Sequence, residues 1–468
     1  MDRKQHLKEI DAWIDSSWET IVDEIKTLVE IPSQEDREQA GEGAPFGPGP
    51  RRALDAGLEL CRRLGMDAQC HEGYVGTADY VGSDPTKQIC MIAHLDTVPC
   101  GPGWTQDPHD MTRHDGYLIG RGTLDDKGPF VIGAYAMRYW HEQGRKFPYT
   151  LRMILGSNEE TDQQDVEYYL DHFSEPAFLF TPDAEFPVCY GEKGIYQGVF
   201  TSGRISEPKI ISWDAGEAFN AIPTDASVTI VNPEALPPVY EGITYTLEDD
   251  RLTISAKGKG GHASMPEGTV NAIGMLVDVM LENHLVSSDE ERFLKLQKAL
   301  IDDYTGANVG VATSDELFGD LTIVGGKVWR DADGTLHQSV DSRYPTTFSC
   351  ELFEQTLSSY AAQYGASYET ANDTPPFYID PKGEEIRRLI RVYNDVTGED
   401  RKPFTIGGGT YARSFKNAAA FGPEMPWRED PDWVGPMHGD DEGVSEELLK
   451  TALKIYILAI DEIMKIKY

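Results

Sequence analysis

Apolar residues recur at helical spacing along residues 5–30, at Ile10, Trp13, Ile14, Trp18, Ile21 and Ile25. That pattern predicts an amphipathic helix with one face against a core. The stretch Glu42–Pro50 (EGAPFGPGP) is rich in Gly and Pro and predicts an irregular loop, with a second helix following at Arg51–Gly65. An alternation then begins. Gln88–His94 (QICMIAH) predicts a buried strand, Pro129–Glu142 a helix and Thr150–Gly156 (TLRMILG) a strand; Asp162–His172 predicts a helix and Ala177–Thr181 another strand. Strand–helix–strand alternation argues for an α/β sheet with parallel strands. Ligands of such sheets bind beyond the C-terminal strand ends.

From about Gly194 the texture changes. Ile195–Thr201, Ala226–Val231, Thr244–Leu247 and Arg251–Ala256 predict strands in a more antiparallel pattern. Helices are predicted at Asn271–Glu282 and Ser288–Tyr304, the second opening with a Ser288-x-x-Glu291 capping box and stopping before Gly306. Thr335–Tyr344 predicts one more strand, and helical texture resumes near Glu384. The last helix, Ser445–Lys467, has Glu446 and Glu447 in its first turn and Lys465 and Lys467 in its last, the order that suits the helix dipole. The expected organisation is an α/β domain made of residues 1–193 and 366–468, with residues 194–365 inserted into it.

Charge changes the picture. The chain of 468 residues has Asp+Glu 79 against Lys+Arg 42, a formal net charge of −37. Such a surface repels phosphate backbones and anionic lipid headgroups, so no nucleic-acid or membrane partner is expected. No run approaches the ~18 apolar residues of a membrane span. The first residues, MDRKQHLKEIDAWIDSS, lack the apolar core of a signal peptide, so the cytoplasm is the expected location. The six cysteines, at 61, 70, 90, 100, 189 and 350, form no C-x-x-C pair. They are expected to be reduced thiols, and any metal site must be built from His and carboxylates.

Acids and histidines gather where the α/β strands should end. His94-Leu95-Asp96 follows one strand, Glu159-Glu160 the next and Asp183 the third. Asp125-Asp126 precedes a helix, and His438 lies in a late loop, PMHGDDEG. Residues i and i+2 share a strand face, so one of His94 and Asp96 can bind a metal while the other orients it.

The segments His94–Pro99 (HLDTVP), Gly120–Pro129 (GRGTLDDKGP), Asn158–Glu160, Thr181–Ala184, Phe219–Pro223, Gly261–Ser264, Asp341–Pro345 and Gly407–Arg413 resemble the M20 metallopeptidases, most of all the PepV-type bacterial dipeptidases. The resemblance implies a zinc-peptidase-like catalytic domain with a mixed, largely parallel sheet, plus an inserted α+β lid domain. It implies that His94 and Asp183 hold one zinc and Glu160 and His438 the other, with Asp125 bridging. Asp96 would orient His94, and Glu159 would be the general base. His262 and Asn220 would stabilise the transition state, and Arg343 with the Gly408–Gly409 backbone would hold the substrate's carboxylate.

The chemistry is self-consistent. Asp125, Glu160 and Asp183 carry three negative charges against the four positive charges of two zinc ions; Mn or Co would also suit such ligands. Metal lowers the pKa of bound water to roughly 7. Neighbours on an extended chain point to opposite sides, so Glu160 could ligate while Glu159 faces the water. The expected function is hydrolysis of dipeptides with a free C-terminal carboxylate. The alternatives are an N-acyl amino acid amidohydrolase on the same scaffold and a non-catalytic metal- or peptide-binding protein. The insertion, about 170 residues, exceeds the ~100–150 typical of one domain. It has room for a lobe in place of a partner subunit, so a monomer is expected.

Overall fold

The computed structural model describes residues 3–468. They form two compact units: the first runs to Tyr190 and includes Tyr378–Phe404 and Gly409–Tyr468, and the second comprises Gly191–Phe377 and Thr405–Gly408.

In the first unit the opening helix spans Arg3–Val29. It buries Ile10, Ile14, Trp18, Ile21 and Ile25, while Trp13 is only partly covered and donates to Glu142. The second helix, Pro48–Arg63, starts inside the stretch expected to be loop. Proline needs no N–H donor in a first helical turn and its φ is already helical, so Pro48 and Pro50 begin this helix rather than block it.

Six neighbouring strands of this unit's nine-stranded sheet run in the order Asp67–His71, Val75–Tyr80, Tyr149–Gly156, Asp84–His94, Phe178–Thr181, Ala418–Ala420. The last four strands are mutually parallel and the first two antiparallel, which makes the sheet mixed with a parallel centre. Residues 89–94 are fully buried, as expected of a strand covered on both faces. The helix Lys127–Glu142 is buried nearly all round, which suits an element enclosed between layers. Its Gly133 allows that closeness, since a Cβ there would meet Met91 Cε at 2.8 Å. Trp140 Nε1 of this helix donates to Ile457 O of the closing helix Glu446–Ile463.

The second unit holds an antiparallel sheet of nine strands, running from Ile243–Glu248 at one edge to Ser367–Thr374 at the other. The unit reaches Phe377, beyond the expected limit at 365, because Ser367–Thr374 pairs with Gly194–Thr201. A helix at Cys350–Gln363, absent from the sequence-based expectation, packs Phe353, Leu357 and Ala361 into this core. The helix Ser288–Ile301 is capped one residue earlier than expected. Ser287 and Glu290 make the reciprocal box, not Ser288 and Glu291. Buried Glu290 also accepts N–H groups from Lys209 and Ile210, and these distant contacts select the frame.

Candidate metal centre

Three parallel strands of the first unit finish side by side. His94 pairs with Gly156 in register, and Met91 with Phe180. The chain beyond each strand therefore emerges at one edge of the sheet, carrying His94–Asp96, Glu159–Glu160 and Asp183. Asp125 arrives from the loop that precedes Lys127–Glu142, whose N-cap is Asp126. Gly128 keeps this loop tight: its N–H bonds to Gly122 O, and a Cβ would lie 2.0 Å from Thr123 O.

Asp125 is the centre of the arrangement. Its Oδ1 lies 2.9 Å from His94 Nε2 and its Oδ2 lies 2.8 Å from His438 Nε2. His94 Nε2 is also 3.7 Å from Asp183 Oδ2, and His438 Nε2 is 3.1 Å from Glu160 Oε2. Two groups of three donors thus share one carboxylate. The donor atoms of His94, Asp125 and Glu160 lie within 4.8 Å of one another, as do those of His94, Glu159 and Asp183. Glu160 and Asp183 expose only 7% and 12% of their side chains, so the groups meet in a medium where unneutralised charge is costly.

The titration behaviour follows. Burial, then the Asp125 charge, pushes Asp183 up to about 7 and raises Glu160 as well. Burial and Asp183 push Glu159 well above the usual carboxylate range. Burial disfavours charge on the histidines, but it is outweighed by their acidic partners. Asp125 and Asp96 raise His94 well above 6.5, and Asp125 and Glu160 lift His438 to about 11. Asp125 itself is lowered: burial opposes ionisation, and hydrogen bonds to His438 and His94 win. A crowded set of buried carboxyls with two imidazoles, one carboxylate offering an oxygen to each, fits a pair of divalent cations.

Neighbouring groups steer these side chains. Asp96 Oδ1 is 3.5 Å from His94 Nδ1, and its Oδ2 accepts from Glu160 N. Gln163 Nε2 donates to Glu159 Oε1 at 2.7 Å. Glu159 and Glu160 lie in a turn, not on an extended chain, and both face the cluster. The expectation that they point to opposite sides is therefore corrected: the strand ends at Gly156, before either residue. Gln163 is one contributor that sequence reasoning missed. Another is Glu442, in the same loop as His438. A glutamine or glutamate in a polar loop carries no local signal of such a contact.

The second unit gathers the other candidates. Ala221, next to Asn220, pairs with His262, and Ala263 N donates to Asn220 O. His262 Nδ1 accepts from Ser264 N at 3.2 Å, which places the proton of the neutral ring on Nε2. Ser264 packs on Gly407, where a Cβ would meet Ser264 Cβ at 2.7 Å. Arg343 is buried, with Nε and Nη2 on Asp341 and Nη1 donating to Gly407 O. Three of its five N–H donors are engaged this way. Gly408 lies in this unit and Gly409 in the first. A Cβ on Gly408 would meet nothing nearer than Ile406 Cδ1 at 3.9 Å.

The sequence matches the family model described as "Peptidase family M20/M25/M40" over residues 90–462. A protein of Staphylococcus aureus (strain MW2) named "Putative dipeptidase" is 30% identical over 459 residues, spanning 94% of this chain and 96% of its own. The crystal structure of human carnosine dipeptidase 1 superposes with a TM-score of 0.62 at 16% identity, over 98% of this chain and 99% of its own. A Bacillus subtilis protein, titled a dinuclear metal binding peptidase from the M20 family, superposes with a TM-score of 0.52 at 10% identity, over 96% and 98%.

Proposed function

Because the chain belongs to peptidase family M20/M25/M40, hydrolases of peptide bonds, we propose that it is a two-metal dipeptidase of the cytoplasm, working as a monomer on dipeptides with a free C-terminal carboxylate. The observation that carries this reading is the Asp125 carboxylate, with one oxygen toward His94 and the other toward His438. The dinuclear Bacillus subtilis relative supports it. His94 and Asp183 would hold one zinc, Glu160 and His438 the other, and Asp125 both; manganese or cobalt would suit the same donors. When bound, such a pair polarises a carbonyl oxygen and makes water acidic enough to attack at neutral pH.

The chain's own residues do the rest. Glu159, whose carboxyl burial and then Asp183 push well above the usual carboxylate range, takes a proton from the attacking water. It returns that proton to the amine nitrogen as the C–N bond breaks. Asp96 holds the His94 ring in orientation. His262 donates its Nε2 proton in a hydrogen bond to the oxygen that gains negative charge, aided by Asn220. Arg343 offers its two remaining N–H groups to the substrate carboxylate, with the backbone at Gly408 and Gly409 completing the seat.

The test is a hydrolysis panel of dipeptides, tripeptides and N-acyl amino acids, run with chelator-stripped protein reloaded with defined metals. Dipeptides should be cleaved fastest, and only after reloading. Preference for N-acyl amino acids would replace this reading with an amidohydrolase. Full activity of protein verified as metal-free would overturn the mechanism.

A further inference from the structure

The late loop that carries His438 is tied to the loop that carries Asp125 by one buried ion pair. Glu442 is fully buried and Arg121 nearly so, and Arg121 Nη1 lies 2.5 Å from Glu442 Oε2. The other carboxylate oxygen of Glu442 accepts three backbone N–H groups, from Gly122, Leu124 and Asp125, each at 3.1 Å. The backbone oxygen of Glu442 accepts from Gly120 N at 2.9 Å. Arg121 Nη2 donates to His438 O at 3.3 Å, and its guanidinium stacks over Trp104 at 5.1 Å. A single carboxylate–guanidinium pair thus fixes the backbone of Asp125 and the backbone of His438 at once.

The two halves of the metal centre differ in what holds them. His94 ends a fully buried strand and Asp183 follows another, so the sheet positions both. His438 has no such support. It lies in a loop with a left-handed φ of 61°, and half of its side chain is exposed. Its carbonyl needs an external anchor if the ring is to stay aimed at Asp125 and Glu160.

We propose that Glu442 and Arg121 are positioning residues for one of the two metal positions, the one made by Asp125, Glu160 and His438. The inference rests on the two-metal reading above. Neither residue ligates; together they set how well that position is formed. Groups that orient metal ligands typically change affinity by ~10–100-fold when removed. The loss should fall more heavily on this ion than on the other, which shares Asp125 but also has His94 and Asp183 held by the sheet.

The experiment titrates zinc into chelator-stripped wild type, Glu442→Gln and Arg121→Lys by isothermal titration calorimetry, with bound ions counted by elemental analysis after dialysis. Wild type should hold two ions. Glu442→Gln should bind one ion ~10–100-fold more weakly and the other, which shares Asp125, with a clearly smaller loss. Arg121→Lys keeps the charge but loses the fork that reaches His438 O, and should weaken the same ion by a smaller factor. Equal weakening of both ions, or of neither, overturns the inference. Should Glu442→Gln not fold, Arg121→Lys decides by the same criterion. A wild type that binds fewer than two ions instead overturns the two-metal reading itself.

Discussion

Loading the centre with two divalent cations should expel at least about 1.5 protons per chain at pH 7, because ligands must be deprotonated to bind. His438 carries a proton at that pH: burial opposes it, but Asp125 and Glu160 raise its pKa to about 11. Asp183, pushed to about 7 by burial and by Asp125, is half protonated. One proton from His438 and half of one from Asp183 set the minimum. His94 shifts in the same direction as His438, since Asp125 and Asp96 outweigh burial and raise it well above 6.5, and adds to the count. Protons and metal compete for these atoms, so affinity must rise with pH. Near pH 7 the combined affinity should climb at least ~30-fold per pH unit, roughly 2 kcal/mol at 1.36 kcal/mol per proton. Above about pH 8 Asp183 has already ionised, and the slope should ease by about half a proton. Calorimetric titrations in buffers of different ionisation enthalpy measure the number directly. The observed enthalpy plotted against buffer enthalpy has the proton count as its slope. A slope under one proton, or an affinity flat between pH 6 and 8, would refute the reasoning, since metal would then displace no proton from the histidines.

Glu159→Gln should keep fold and metal but lose ~10²–10⁴-fold in kcat, whereas Glu160→Gln should weaken metal binding; near-normal turnover of Glu159→Gln removes it as the base. A dipeptide and its C-terminal amide should differ strongly in kcat/KM, and Arg343→Lys should raise KM for the free acid by ~10–100-fold, since the planar fork is lost. Equal rates on acid and amide would sink the carboxylate assignment. Mixing the inactive variants His262→Ala and Glu159→Gln should restore nothing at any protein concentration, as a monomer requires; regained activity would show a histidine shared between chains.

Much of the α/β unit was legible because its signals are local. The run QICMIAH could only be a covered strand, and the helical spacing from Ile10 to Ile25 allowed one face. The boundary errors have local causes as well. Pro48 and Pro50 read as breakers, yet both suit a first helical turn. The helix Cys350–Gln363 was missed although Phe353, Leu357 and Ala361 mark its buried stripe. The identity of the candidate ligands was also legible, since acids and a histidine followed three consecutive strands. Their facing was not: Glu159 and Glu160 share a turn and aim at one cluster, which no extended-chain argument could foresee.

By itself the sequence determined most of the helices and strands of the α/β unit, and which side chains could bind a cation, because periodicity and residue chemistry need no partners. Tertiary structure alone decided the rest. The sequence pattern put the capping box at Ser288 and Glu291; backbone donors from Lys209 and Ile210, some 80 residues away, hold Glu290 and select Ser287–Glu290 instead. Asp125 became a shared partner of two histidines 344 residues apart only when the sheet and the late loop met. Glu442 changed from one acid in HGDDEG to a buried anchor because Arg121 and three backbone N–H groups converge on it. Burial and convergence are properties of chain segments brought together across long loops, so they leave no mark on the short stretch of sequence around any one of these residues.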